Sequence, residues 1–518
     1  MASGFGRNRS AVHAPASVRG GCLSVDPAPV LDSSMGRNRS RRLRRLLAGF
    51  ALALADLLAL VAALVAARVL HALAARWLPG HVTALADPLQ ETLRIQLFGV
   101  WILVAVAWLS LQGEYWRRLP FWDEVRRLWR LVLVLAALDA LVLFLAKWDF
   151  SRLWFLLLWT LSMSFLPLGR ALARRGLDRI GLWNEPVLIV GTGANALETL
   201  EALRREHALG WEVEAFVSLR PHVDRLAHRG RSYPVRSLGG DIGRGLDEVF
   251  AGRRVVLAPE EGELAAMPQL LDRLGRLGVE VSIVPPLRGL PLFGMDPIHF
   301  FRHEVLMLRV RNNLARPGAR LVKRAFDLAC GGLLLIVLAP LLAGVALRIA
   351  LGGGPVLFAH ERVGQGGRRF RCYKFRTMVP DAEARLEALL RNPAWRRQWE
   401  ESRKLRDDPR VTPFGHFLRR TSLDELPQLF NVLRGDMSLV GPRPVVTEEL
   451  ARYGEHVAEY LQVRPGITGL WQISGRSDAD YDSRVRLDSW YVRNWNLWYD
   501  TVILMLTVQK VVRGEGAY

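Results

Sequence analysis

The chain of 518 residues is half apolar and carries a formal net charge of +20, so it exceeds one ordinary domain and requires several units with ample core. That charge points to an anionic partner, whether nucleic acid, an acidic lipid surface or a phosphorylated substrate. Cys22, Cys330 and Cys372 are scattered without metal-ligand spacing, which argues against a zinc site and a disulfide framework and favours a reducing surrounding for the soluble parts.

Residues 1–45, rich in Arg, Ser, Gly and Pro, are expected to form a disordered basic tail. The pentapeptide GRNRS occurs at 6–10 and again at 36–40, directly after Met35, which makes Met35 an alternative start. No signal-peptide pattern precedes the first apolar run. Four apolar segments follow, at 46–70, 93–111, 128–145 and 153–172, each long enough to cross a bilayer as a helix. They define an expected four-helix transmembrane bundle over 46–175. Arg41, Arg42, Arg44 and Arg45 precede the first segment; Arg117, Arg118, Arg126, Arg127 and Arg130 separate the second and third; Arg170, Arg174 and Arg175 follow the fourth. The other two loops are poor in cations, so the positive-inside rule turns both ends of the bundle to the cytoplasm. Asp56 and Asp139 fall inside spans, where an interhelical hydrogen bond is the expected role because no cationic partner is evident within the spans.

From 180 to 312 the pattern becomes that of a Rossmann-like parallel-sheet domain. Strands are expected at 186–190, 211–217, 254–258 and 279–284, alternating with helices. A glycine turn, Gly191-Thr-Gly-Ala-Asn195-Ala, follows the first strand as in dinucleotide folds. Its third fingerprint position is Ala196, no ribose-binding acid follows the second strand, and no Tyr-x-x-x-Lys pair occurs in the chain. A regulatory or assembly role is therefore expected there, ahead of the alternative of an NAD-dependent nucleotide-sugar epimerase or dehydratase.

The apolar run at 321–351 contains Lys323, Arg324 and Asp327, is interrupted by Pro340 and includes Arg348 near its end. Arg362, Arg368, Arg369, Arg371, Lys374 and Arg376 follow. Cations on both flanks disfavour a crossing, and a helix broken at proline can enter and leave on one face. Beyond it, short strands at 356–359 and 370–375 bring Lys374 and Arg376 to a strand end, where a cationic pair can clamp a diphosphate. An amphipathic helix is expected at 385–399. The run 421–444, TSLDELPQLFNVLRGDMSLVGPRP, joins adjacent carboxylates to arginines and a Gly-Pro-Arg-Pro turn. Asp424 and Glu425 can hold a divalent cation or attack phosphorus; Ser422 and Glu425 equally match a helix capping box. Trp471 suits base stacking or core packing. Trp490, Tyr491, Trp495, Trp498 and Tyr499 open a last apolar helix at 501–512, as rings do at a headgroup boundary.

KRAFDL from Lys323, KFRTM from Lys374, RRTSLDELPQLFNVLRGDMSLVGPRP from Arg419 and RPGITGLWQISGR from Arg464 together resemble the polyprenyl-phosphate hexose-1-phosphate transferases, in their large multidomain form. The resemblance implies a mixed α/β catalytic domain over 318–518 with a re-entrant membrane helix, facing the cytoplasm from a bacterial inner membrane. It implies transfer of a sugar 1-phosphate, glucose- or galactose-1-phosphate, from a UDP-sugar to undecaprenyl phosphate with release of UMP, initiating exopolysaccharide or O-antigen synthesis. A non-catalytic assembly scaffold is the remaining alternative. By the same resemblance Asp424 is the nucleophile of a phosphosugar-aspartyl intermediate, and Glu425 is either a metal ligand or a base. Mg²⁺ is held by Asp424 and Glu425, while Lys374, Arg376, Arg420 and Arg443 bind phosphate. Arg419 is assigned a surface or headgroup role. The implied partners are the UDP-sugar, undecaprenyl phosphate and membrane lipid, with no nucleic acid and with a homodimer left open. Where relatives often have Ser-Pro in the membrane helix, this chain has Ala339-Pro340.

Overall fold

A computed structural model of the protein describes residues 28–77, 88–148, 151–218, 225–237, 249–250, 253–287, 295–299, 306–310, 313–402, 405, 408–474 and 481–513. It separates into two compact units, residues 1–286 and 287–518. Five of the described helices are long and apolar enough to cross a membrane by length and composition.

In the first unit, α1 (Ala28–Trp77), α2 (Pro88–Leu111), α3 (Phe121–Leu145) and α4 (Arg152–Arg179) form a helical bundle. Ala48, Ala59, Ala63 and Ala67 of α1 are buried. Gly169 of α4 meets this stripe so closely that a Cβ there would lie 3.1 Å from that of Ala59, a small-residue contact that lets two backbones approach. Leu52, Phe98, Leu128, Leu158 and Trp159 fill the core around it. Residues 28–45, expected to be disordered, are helical from Ala28 onward. Extending a formed helix adds a hydrogen bond per residue without a new nucleation cost, and their Arg and Leu are good helix formers. The remainder of the expected tail, with the first GRNRS, lies outside the described residues.

Asp56 has the cationic partner that the span pattern did not reveal. Arg170, read as a flanking charge, is fully buried and holds Asp56 through two bonds of 2.8 and 2.6 Å. It also donates to Glu124 at 2.7 Å. Tyr115 donates its hydroxyl to Asp56 at 3.0 Å. Asp139 accepts the indole N–H groups of Trp101 and Trp159 at 2.8 and 3.0 Å, the expected interhelical bonding. Both carboxylates tie helices together, because a charge is retained in an apolar bundle only when it is paired or hydrogen-bonded.

The sheet of this unit begins with β1 (Glu185–Val190), followed by α5 (Ala194–Arg205), β2 (Trp211–Ser218), β3 (Arg225–His228), β4 (Arg231–Ser237), β5 (Arg254–Leu257), α6 (Met267–Arg276) and β6 (Val281–Ile283). The strand order is β3-β4-β2-β1-β5-β6, parallel apart from the β3–β4 hairpin. All four expected strands are present. The hairpin was not anticipated, since its strands are short and polar and one contains Pro234; Arg229 and Gly230, with φ of 46° and 76°, supply its tight turn. At the glycine turn, the start of α5 is filled from within. Glu260 accepts the Asn195 backbone N–H at 2.7 Å, and the Asn195 side chain donates to the carbonyls of Pro259 and Val284 at 3.0 and 2.9 Å. A Cβ on Gly193 would collide with the Glu260 side chain.

The second unit opens with the hairpin β7 (Met295–His299) and β8 (Leu306–Val310), which the sequence pattern had grouped with the middle domain. Then α7 (Pro317–Ala350) continues through Pro340, where a break was expected. Lys323 near its start donates to Asp500 at 2.7 Å and to the Val440 carbonyl at 3.0 Å. Near its end Leu342, Val345 and Ile349 pack with Phe375 and Leu418, while Leu333, Ile336 and Val337 between them are exposed. The antiparallel pair β9 (Leu357–Val363) and β10 (Arg369–Phe375) follows. The single helix expected at 385–399 is two, α8 (Ala382–Leu389) and α9 (Pro393–Ser402), because Pro393 disfavours helical backbone at Asn392.

The remaining elements are α10 (Pro413–Arg420), α11 (Gln428–Arg434), β11 (Ser438–Val440), α12 (Thr447–Leu450), α13 (Val457–Gln462), β12 (Gly466–Thr468), α14 (Leu470–Ile473), α15 (Tyr481–Arg493) and α16 (Leu497–Arg513), with β11 parallel to β12. Tyr491 and Trp495, expected at a headgroup boundary, are buried. Both donate to the buried Asp500, at 2.7 and 3.0 Å, and so belong to the core that receives Lys323.

Candidate active site

The Asp-Glu pair sits on a single 3-10 turn, Leu423–Glu425, between α10 and α11. Thr412 caps α10 by accepting the Gly415 N–H at 2.9 Å, and Pro413 occupies its first turn. Gly415 is required where α10 meets the chain after β10, since a Cβ there would collide with the Thr377 carbonyl. Leu423 and Leu426 pack into the cluster of Leu342, Ile349, Phe375 and Leu418. Residues three apart eclipse on a 3-10 turn, so anchoring this leucine pair leaves Asp424 and Glu425 to the other side.

The capping-box alternative is not realised. Ser422 is left-handed, at φ 56°, and makes no cap bond through its side chain. A non-glycine residue there costs on the order of 1 kcal/mol and belongs to a tightly determined turn. Glu425 instead receives Lys374 Nζ at 2.5 Å. Lys374 is positioned by Asn431 of α11, which is fully buried; it accepts the Tyr373 N–H at 3.1 Å and donates to the Arg371 carbonyl at 2.8 Å. Arg324 of α7 in turn donates to the carbonyls of Val432 and Leu433, at 2.6 and 2.9 Å, satisfying the end of α11.

Among the described residues no side chain hydrogen-bonds Asp424. Burial pushes its carboxyl up to about 6, against the pull of Lys374; adjacent Glu425 adds to the rise and Arg419 opposes it. Such a group, desolvated but next to cations, is a candidate nucleophile. Arg419, assigned above to a surface or headgroup role, is half-buried and acts electrostatically on Asp424, which makes it a candidate site residue. It donates to the Thr377 hydroxyl at 3.0 Å. Helical register carried the signal: Arg419 lies four residues after buried Gly415 and so shares its face, whereas Arg420 does not.

Of the expected phosphate binders, Lys374 adjoins the dyad, and Arg443 is coupled electrostatically to Glu425. Arg443 follows the crossing of two loops where neither Gly441 nor Gly466 has room for a Cβ. Arg420 is exposed at the end of α10. Arg376 turns away to donate to the Gly353 carbonyl, securing the loop after α7. Among the described residues, no group of three or more His, Cys, Asp or Glu side chains gathers as a metal cage. Two adjacent carboxylates nevertheless suit Mg²⁺, which takes one or two carboxylates and completes its octahedron with water and substrate phosphate.

Residues 318–514 match the family of bacterial sugar transferases. The undecaprenyl-phosphate galactose phosphotransferase of Salmonella typhimurium is 42% identical over 422 residues, covering 80% of this chain and 87% of its own. The UDP-galactose-lipid carrier transferase of Erwinia amylovora is 40% identical over 476 residues, 91% of this chain and 98% of its own. The shorter exopolysaccharide production protein ExoY of Sinorhizobium fredii is 47% identical over 205 residues, which are 39% of this chain and 91% of its own.

Proposed function

The chain belongs to the bacterial sugar transferases, as a polyprenyl-phosphate hexose-1-phosphate transferase, and we propose that it moves galactose 1-phosphate from UDP-galactose to undecaprenyl phosphate. UDP-glucose is the second candidate donor. The sugar follows the printed names of the two long relatives. The observation that carries the reaction is the state of Asp424: half-buried, without a side-chain hydrogen bond among the described residues, and beside a Lys374–Glu425 pair.

In the first step an Asp424 carboxylate oxygen attacks the sugar-proximal phosphorus. The bond from that phosphorus to the bridging oxygen breaks, and its electron pair leaves with UMP. In the second step an oxygen of undecaprenyl phosphate attacks the same phosphorus and the bond to Asp424 breaks, freeing the carboxylate and yielding the lipid diphosphate sugar. Lys374, Arg419 and Arg443 offset phosphate charge that would otherwise repel a carboxylate nucleophile. Glu425 holds Lys374 at the dyad and supplies the second carboxylate. When bound at Asp424 and Glu425, Mg²⁺ would add charge neutralisation at the phosphate oxygens.

We also assign α7 as re-entrant rather than crossing, with the second unit on the cytoplasmic face of a bacterial inner membrane and the bundle α1–α4 as four spans. In support, both ends of α7 pack against its own unit, through Lys323 and Arg324 at one end and Ile349 at the other, with exposed apolar residues between. A crossing helix would carry one end away from that unit. Single cysteines at Arg320 and Leu351 should label from the same side of oriented vesicles; labelling from opposite sides would refute re-entry. The reaction is tested by incubating full-length protein with undecaprenyl phosphate, Mg²⁺ and each of a panel of nucleotide sugars. UMP should appear with UDP-galactose or UDP-glucose, and folded protein that releases none with any donor overturns the proposal.

A further inference from the structure

Beside the dyad, the loop after β11 and the helix α15 bring two guanidinium groups to one indole. The Arg443 guanidinium carbon lies 5.6 Å from the Trp471 ring centre and that of Arg484 lies 5.3 Å from it. Arg484 also lies 5.1 Å from the ring of Tyr481. The Asp488 carboxylate accepts the Tyr453 hydroxyl at 2.8 Å through Oδ2, and its Oδ1 is buried without a hydrogen bond among the described residues. Asp488 Oδ2 lies 4.0 Å from Arg484 Nε, an ion pair at the limit of reach that is too long for a hydrogen bond and leaves the donors of the guanidinium unfilled. Among the described residues, buried Arg484 Nε and one of its terminal nitrogens have no hydrogen-bond partner, nor has the indole nitrogen of Trp471. Arg362 adds further positive charge: burial, Arg484 and Arg362 all push the Arg443 guanidinium down, while Glu425 opposes them.

Buried donors without acceptors are costly, and gathering like charges around them raises that cost. The arrangement is explained when an anion completes it. Two planar forks match phosphate oxygens, and guanidinium and aromatic faces can also stack a nucleobase. The lipid acceptor offers a phosphate but no aromatic group; the nucleotide offers both. Resting on the reaction proposed above, we infer that Arg484, with Arg443 and Trp471, forms the nucleotide half of the donor site and holds the phosphate of the departing nucleoside monophosphate.

The test uses full-length Arg484→Gln and Arg484→Lys, with thermal melting as the check on folding. Arg484→Gln should raise the KM for the UDP-sugar and the inhibition constant of UMP at least tenfold, leaving the KM for undecaprenyl phosphate within twofold. Arg484→Lys retains charge without the planar fork and should give a smaller rise in the same two constants; it carries the test if the glutamine variant does not fold. UMP binding measured calorimetrically should weaken in parallel, a change that a purely structural role would not confine to the nucleotide. A folded, active variant with unchanged UMP inhibition overturns the inference while leaving the reaction intact. So does an effect falling on the lipid KM instead. Failure of the wild-type protein to release UMP defeats the reaction itself, and this inference with it.

Discussion

Two turns in this molecule set a carboxylate against a backbone, and they use it in opposite ways. At the glycine turn before α5, Glu260 is tied to the Asn195 amide at 2.7 Å, occupying the helix N-terminus where nucleotide folds receive phosphate. At the turn between α10 and α11, Asp424 is desolvated without a side-chain hydrogen bond, and its neighbour Glu425 holds the nearby cation. The first turn has its anion built in and is satisfied. The second keeps a carboxylate free of side-chain hydrogen bonds among the described residues, beside the left-handed Ser422, a combination that suits a reactive group. The comparison weighs against the nicotinamide alternative for the middle domain, whose phosphate position is filled by its own chain.

The largest expected effect that tests this contrast is Asp424→Asn. An amide is a poor nucleophile, so UMP release should fall by about three orders of magnitude or more, without loss of thermal stability. Activity within tenfold of wild type would remove Asp424 from the chemistry. Lys374→Met should lower kcat/KM by about a hundredfold and also change the pH profile. The wild-type carboxyl, raised to about 6, must be ionised to attack, so kcat/KM should rise with pH through an acid limb near that value. Lys374 pulls this carboxyl down, so its removal should move the limb to higher pH. An unmoved limb breaks the assignment.

Glu260→Ala should act on stability instead. Loss of the carboxylate leaves the Asn195 amide without its partner, destabilising the first unit by about 1–3 kcal/mol, while donor KM and kcat per folded molecule remain within about twofold. Protection of residues 194–205 from hydrogen exchange is the local readout, and unchanged protection would show that Glu260 does not hold the turn. The smallest effect belongs to Ser422→Gly. Glycine accepts the left-handed backbone without a Cβ clash, offset by its greater unfolded-state entropy, so stability should change by about 1 kcal/mol at most. A large loss would mean that the Ser422 side chain contributes more than its contacts account for.

Much of the site was legible as residues and much less as contacts. Asp424, Glu425 and Lys374 could be named because carboxylates and cations stand at fixed positions in recognisable runs. Arg376 and Arg420 stand in the same runs, and only the structure shows that one donates to the Gly353 carbonyl and the other is exposed. Arg419 was undervalued because adjacent arginines are equivalent until the buried face of α10 is known. Arg170 was misread for a similar reason: a cation at the end of an apolar run scores as a flank, and nothing local shows that it folds back to Asp56, 114 residues away. The expected bundle strands and helices fared better, since the apolar runs and β-strand patterns are local properties.

The sequence by itself determined where apolar helices form, which βα units build the parallel sheet, where the dyad lies and which family its motifs resemble. These follow from periodicity, proline and glycine placement, and side-chain chemistry. Only the tertiary structure decided that Glu425 pairs with Lys374 across 51 positions instead of capping its own turn. It also decided that Glu260 fills the glycine turn from 65 positions away, and that Arg484 joins Arg443 at Trp471. Backbone preference is governed by near neighbours, whereas the partner of a charged side chain is selected by which distant elements the core packs together.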